Sequence, residues 1–81
     1  MKTNDIKKGT RVKMRNTGWE GEMLDNRKGK TRCVMVEGAF KEAGDVYSHN
    51  IEFVLVDGEW TKVEHTKEQL KHMETVKAMG F

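Results

Sequence analysis

The feature that most constrains this chain is a series of short segments in which apolar and charged residues alternate, each cut off by Gly, Asn or Asp. Alternation with period two places one set of side chains on each face of a strand. From Thr10 to Arg15, Val12 and Met14 alternate with Arg11, Lys13 and Arg15 until Asn16-Thr17-Gly18 interrupts the pattern. Glu20 to Asp25 reads as a second strand, and Asp25-Asn26-Arg27-Lys28-Gly29 as a turn. Lys30 to Glu37 is a third strand, apolar on both faces from Cys33 to Val36 and therefore expected at the centre of a sheet. Gly38 to Asn50 is the longest irregular stretch. Ile51 to Val56 and Glu59 to Glu64 are the fourth and fifth strands, joined by Asp57-Gly58, a type I′ hairpin signal. This hairpin sets Trp60 across from Leu55, in or near the core. Proline is absent, so the turns fall to the eight glycines and to Asn and Asp. Strands at short, regular spacing predict an all-β sandwich or barrel.

The tail changes period. Thr66-Lys67-Glu68-Gln69 fits a capping box. Leu70, Met73 and Val76 recur at helical spacing, with Met79 near the same stripe, which predicts a helix over 66–79. Gly80 and Phe81 suit a Schellman ending, with Phe81 folded back on Val76. The stripe is expected to cover an open side of the barrel. Its alternative role is docking on a partner or a second copy, although a monomer is favoured.

At 81 residues the chain is expected to be a single domain, 1–81, with a thin core. Domains near this size bury only about 60% of the surface of the unfolded chain. No apolar run is long enough to span a membrane, and none follows the N-terminus, so neither a membrane partner nor a secretory signal is expected. Cys33 is the only cysteine, which excludes a disulfide framework and favours a reducing, cytoplasmic setting. The net charge of +2 hides an asymmetry: residues 1–32 carry ten Lys/Arg against four acids, and residues 33–81 carry five against nine. Such a split either presents a basic face to a polyanion or cancels in space on folding.

Lys8-Gly9-Thr10-Arg11-Val12-Lys13-Met14 followed by Gly18-Trp19-Glu20-Gly21-Glu22-Met23 resembles a KOW motif, with Gly18 and Gly21 as its two glycines and Arg32-Cys33-Val34-Met35-Val36 as its third strand. The resemblance spans about residues 7–37. It implies a mainly-β fold, a five-stranded SH3-like barrel over 7–64 with the helix appended, acting by binding nucleic acid or protein. The helix and the Gly38–Asn50 loop lie outside the motif. In size and style the chain also resembles small phage-encoded accessory proteins.

The basic residues suggest a nucleic-acid surface. Arg11, Lys13 and Arg15 share one strand face, Arg27, Lys28 and Lys30 lie on the following turn, and Arg32 opens the next strand. Trp19 between them offers a ring for an unpaired base. Nothing here reads base sequence, so contact with the phosphate backbone of DNA or RNA is the leading expectation. The alternative is a protein-interaction module, built on Phe40, Tyr47 and Trp60, that modulates a larger enzyme such as a nucleic-acid-processing machine. Phe40 and Tyr47 in the long loop either pack inward, the expected outcome, or bind. His49, His65, His72 and Cys33 lack the spacing of a zinc site, and the histidines are expected to be solvated. No phosphate loop, paired carboxylates or nucleophile elbow is present, so neither catalysis nor a cofactor is expected.

Overall fold

The computed structural model describes residues 1–80. The chain forms six strands and one helix: β1 (Arg11–Met14), β2 (Glu20–Met23), β3 (Thr31–Glu37), β4 (Lys41–Tyr47), β5 (Ile51–Val56), β6 (Glu59–Lys62) and α1 (Lys67–Ala78). Two 3-10 turns, Thr3–Asp5 and Ser48–Asn50, complete the list of regular elements. All strand pairs are antiparallel, and the order across the sheet is β4-β3-β2-β1-β5-β6.

This topology corrects the expected closed barrel. The outermost strands, β4 and β6, form no ladder with each other, so the sheet is open with two edges. The five-stranded SH3-like barrel and the KOW identity attached to it are therefore not what the chain forms; a mainly-β fold with a C-terminal helix is. The count differs because Lys41–Tyr47, expected to be irregular, pairs along its whole length with Thr31–Glu37. Most of β4 is exposed, so it lacks the alternation that marks a half-buried strand. β3 is thus second from an edge rather than central.

The alternation in β1 works as expected. Val12 and Met14 are buried while Arg11, Lys13 and Arg15 stay partly exposed. With Ile6, Met23, Val34, Ile51, Val54 and Val63 they form one apolar cluster, on which Val36, Val46 and Val56 pack. Gly21 sits opposite Val12 and Val36. A Cβ there would stand 2.6 Å from the Met35 carbonyl oxygen, so this glycine answers to a close backbone approach rather than to a turn. The β5–β6 turn has φ of +50° at Asp57 and +81° at Gly58, as a type I′ turn requires, and Leu55 faces Trp60 across it.

The N-terminal segment is fixed by one buried side chain. Arg32 is fully buried. Its Nη1 donates to the Thr3 carbonyl at 2.7 Å, and its Nη2 to the carbonyls of Ile6 at 2.7 Å and Asp25 at 2.9 Å. Its Nε donates to Asp25 Oδ1 at 2.8 Å. Burial pulls the Asp25 carboxyl upward, but Arg32 and the N–H groups of Cys33 and Arg27 outweigh it and hold the group below the usual carboxylate value. The Thr3 N–H, on the same segment, donates to the Glu64 carbonyl at 3.1 Å.

α1 begins with the expected capping box: Thr66 Oγ1 accepts from the Gln69 N–H at 3.1 Å, and Gln69 Oε1 accepts from the Thr66 N–H at 2.9 Å. Its buried face is rotated from the expected stripe. Gln69 and Val76 are buried, His72 and Met73 are half-buried, and Leu70 and Met79 are exposed. The Gln69 side chain accounts for the rotation, because its Nε2 donates to the Gly29 carbonyl at 2.8 Å and to Asn4 Oδ1 at 3.3 Å. The helix packs chiefly on the turn Ser48–Asn50. Gly80 follows with φ +82°, and the expected return of Phe81 lies outside the described residues. No helix among the described residues is long and apolar enough to cross a membrane.

Candidate functional site

The arginines and the lysines take different places. All four arginines are engaged within the protein. Arg11 donates to both Glu37 oxygens, at 2.7 and 2.8 Å, and lies 3.4 Å from Glu20. The Glu37 hydrogen bond is the main reason its guanidinium is held above the ordinary value, with burial acting in opposition and Glu20 adding to the rise. Arg15 donates to the His49 carbonyl at 3.0 Å and to Glu52 at 3.1 Å, and its Nη2 lies 3.1 Å from His65 Nε2. Arg27 bridges Asp25 at 3.0 Å and Asp45 at 3.1 Å. Arg32 is the buried staple described above. Of the expected basic surface Arg11, Lys13, Arg15, Arg27, Lys28, Lys30 and Arg32, buried Arg32 is therefore not on the surface, and Arg11, Arg15 and Arg27 are each already paired with a carboxylate.

Lys13 lies with its Nζ 4.4 Å from the centre of the Trp60 ring, on the sheet face that carries Arg11. Lys28 and Lys30 are exposed. The Lys8 N–H donates to Asn26 Oδ1 at 2.8 Å, which holds the turn before β1 against the β2–β3 loop. The Gly29 N–H donates to Asn4 Oδ1 at 3.1 Å. Lys30 and Lys67 line one shallow cavity with Asn4, Gly29, Thr66, Glu68 and Gln69. Hydrogen bonds thus tie together the three segments that carry Lys7, Lys8, Lys28, Lys30 and Lys67. All five are exposed, and among the described residues none has a carboxylate within 4 Å. Lys7, Lys8 and Lys67 are not among the basic residues expected from the sequence to form the surface. The Lys7-Lys8 pair beside Gly9 was the one local signal, because the approach of the loops is a tertiary effect.

The aromatic residues are dispersed. Trp19 is 46% exposed and lies against Gly38, where an added Cβ would come within 2.6 Å of its ring. Phe40, in the β3–β4 turn, is 77% exposed and does not pack inward as expected, whereas Tyr47, at the end of β4, is 40% exposed with its ring packed on His49 and His72. Trp60 sits on β6, at the other edge of the sheet from β4. Phe40, Tyr47 and Trp60 therefore form no common groove.

The histidines are not solvated. His49 is buried, and His65 and His72 are half-buried. Tyr47 stacks on His49 with ring centres 5.2 Å apart, while His72 meets the two rings edge-on at 4.9 Å from Tyr47 and 5.4 Å from His49. Burial holds the His49 imidazole below its usual pKa, and nearby His72, His65, Arg15 and Lys77 push the same way. His65 is also lowered, by burial and then Arg15. Among the described residues no group of three or more His, Cys, Asp or Glu is placed to hold a metal. No protein-family model matches the chain, and no match was found among curated proteins or solved structures, so neither the KOW nor the phage resemblance gains support and the functional reading rests on these residues alone.

Proposed function

We propose that this protein is a non-enzymatic module that binds the phosphate backbone of nucleic acid through Lys7, Lys8, Lys28, Lys30 and Lys67. The observation that carries the reading is five exposed lysines, on three segments tied together by hydrogen bonds and without an ion-pair partner among the described residues, in a protein whose arginines are all engaged internally. A lysine ammonium is a mobile point charge, suited to neutralising phosphate without reading bases. Each phosphate neutralised releases condensed counterions, so affinity falls steeply with salt and little with sequence. Half-buried Cys33, the only cysteine, fits a reducing, cytoplasmic setting.

Fluorescence anisotropy with mixed-sequence DNA and RNA at about 50 mM salt tests this, since phosphate contacts are strong under those conditions. Combined Lys→Gln changes at 7, 8, 28 and 30 are expected to weaken binding at least about tenfold and to flatten the salt slope by roughly 0.7–0.9 per lost phosphate contact. Lys41→Gln on exposed β4 is the control and should leave binding near that of the native protein. No binding at low salt, or an unaffected fourfold variant, contradicts the reading.

A protein-contact reading has one observation of its own. Trp19 and Phe40 line a small groove with Val36, Ala39 and Glu42. If that groove holds the primary partner, Phe40→Ala abolishes partner capture from nuclease-treated lysate while the lysine changes leave it intact.

A further inference from the structure

We propose that the cavity between α1 and the turn Ser48–Asn50 binds a small carboxylate with a short apolar body, and takes up a proton as it does so. This goes beyond the backbone-binding reading and uses different residues. The cavity holds about 300 Å³ and is lined by Arg15, Asn16, Tyr47, His49, Asn50, Met73, Val76 and Lys77. Such a volume lies at the small end of ligand sites, and a few convergent polar groups beside apolar lining is their usual make-up. Arg15, Lys77, both asparagines, the Tyr47 hydroxyl and His49 supply hydrogen-bond donors, and Met73 and Val76 supply the apolar wall. Among the described residues, no carboxylate lines the cavity.

Two further observations point to an occupant. His49 is only 3% exposed, yet its Nδ1 has no hydrogen-bond partner among the described residues. The Nδ1 of His72, in the ring 5.4 Å away, is buried and likewise unpartnered. Buried polar atoms are rarely left so, and those that are call for an explanation.

The charged groups around His49 come from several elements. Tyr47 stacks on it from β4, His72 and Lys77 face it from α1, and Arg15 donates to its carbonyl from the end of β1. His65 stands beyond Arg15. The nearby carboxylate is Glu52 on β5, which Arg15 already engages at 3.1 Å. Empty, this surround disfavours protonated imidazole; a bound carboxylate reverses the balance. Linkage then requires that the anion raise the imidazole pKa and that acidification tighten anion binding by the same factor.

The test uses the intact protein with three probes: 4-methylpentanoate, its uncharged amide 4-methylpentanamide, and inorganic phosphate. Histidine ring signals and proton uptake are followed by NMR and calorimetry at pH 6.0 and 8.0. The acid is expected to bind saturably, at least about fivefold tighter at pH 6.0, within the usual range of coupling between sites. It should shift the His49 and His72 signals, whereas the amide should not bind and phosphate should bind more weakly than the acid. His49 is buried, so the variants are placed at exposed Lys77 and half-buried His72. Lys77→Met should cut affinity about fivefold or more, and His72→Gln should flatten the pH dependence. Equal binding of acid and amide, pH-independent affinity, phosphate binding as tightly as the acid, or no saturable shift at millimolar acid each overturns the proposal. So does a folded Lys77→Met that binds as the native protein does.

Discussion

The molecule gathers positive charge in two places, and they differ in how that charge is kept. At the loop end, five lysines stand in solvent. Between α1 and the turn Ser48–Asn50, Arg15 and Lys77 surround imidazoles that are buried or half-buried. Water screens like charges that are exposed, so lysines on neighbouring segments repel one another little. In the enclosed site burial, and then the neighbouring cations, disfavour the charged form of the His49 imidazole. On the two proposals, binding at the lysine end responds to salt and binding at the cavity responds to pH. α1 joins them: its first turn carries Lys67 and Gln69 against the loop end, and its later turns carry His72, Val76 and Lys77 against the cavity.

The change expected to break this arrangement most severely is Arg32→Met. It leaves three backbone carbonyls and Asp25 without their buried donor and releases the segments that carry the lysines. Breaking a buried ion pair from one side costs about 3–5 kcal/mol, to be read from urea unfolding followed by circular dichroism. Gln69→Leu comes next. It removes the amide that ties α1 to Gly29 and Asn4 and should cost about 1–3 kcal/mol in the same measurement.

Acid should separate the two regions. The folded pKa of His49 lies below its unfolded value, so between the two the unfolded chain binds more protons. The stability tied to neutral His49 is thus complete above about pH 6.5, the ordinary imidazole value, and declines as pH falls from there toward the folded pKa. Asp25 is also depressed, so its contribution is complete above about pH 3.9 and is lost only as pH falls through its lower folded value. Hydrogen exchange should accordingly show α1 loosening as pH falls below about 6.5 while the β2–β3 loop stays protected. Loosening of both together would contradict the separation. The smallest effect on stability should come from Lys→Gln at 7, 8, 28 and 30, within about 0.5 kcal/mol, as for exposed positions free of structural contacts.

What could be read from the sequence was local. The Thr66–Gln69 capping box and the Asp57-Gly58 hairpin depend on neighbouring residues, and both are present. β4 was invisible because Lys41-Glu42-Ala43-Gly44-Asp45 has no apolar alternation; its strand state comes from pairing with β3. Whether the outer strands meet is a long-range matter that a glycine turn cannot decide, so the barrel was inferred beyond what the motif carries. Arg32 looked like a surface cation because burial of an arginine depends on four partners distant in the chain or across a turn. The helix face was misread because an apolar stripe does not register a buried amide such as Gln69. The lysine end was half legible, through Lys28 and Lys30, and the histidine cavity was not legible at all, since His49, His65 and His72 share no local spacing.

The most direct test of the central claim is backbone amide NMR during titration with mixed-sequence DNA at low salt. The account predicts shifts concentrated at Lys7, Lys8, Lys28, Lys30 and Lys67, reversed by added salt, with β1 and the Trp60 hairpin largely unmoved. Shifts concentrated instead on Arg11, Lys13 and Trp60, or none at any salt concentration, would contradict it.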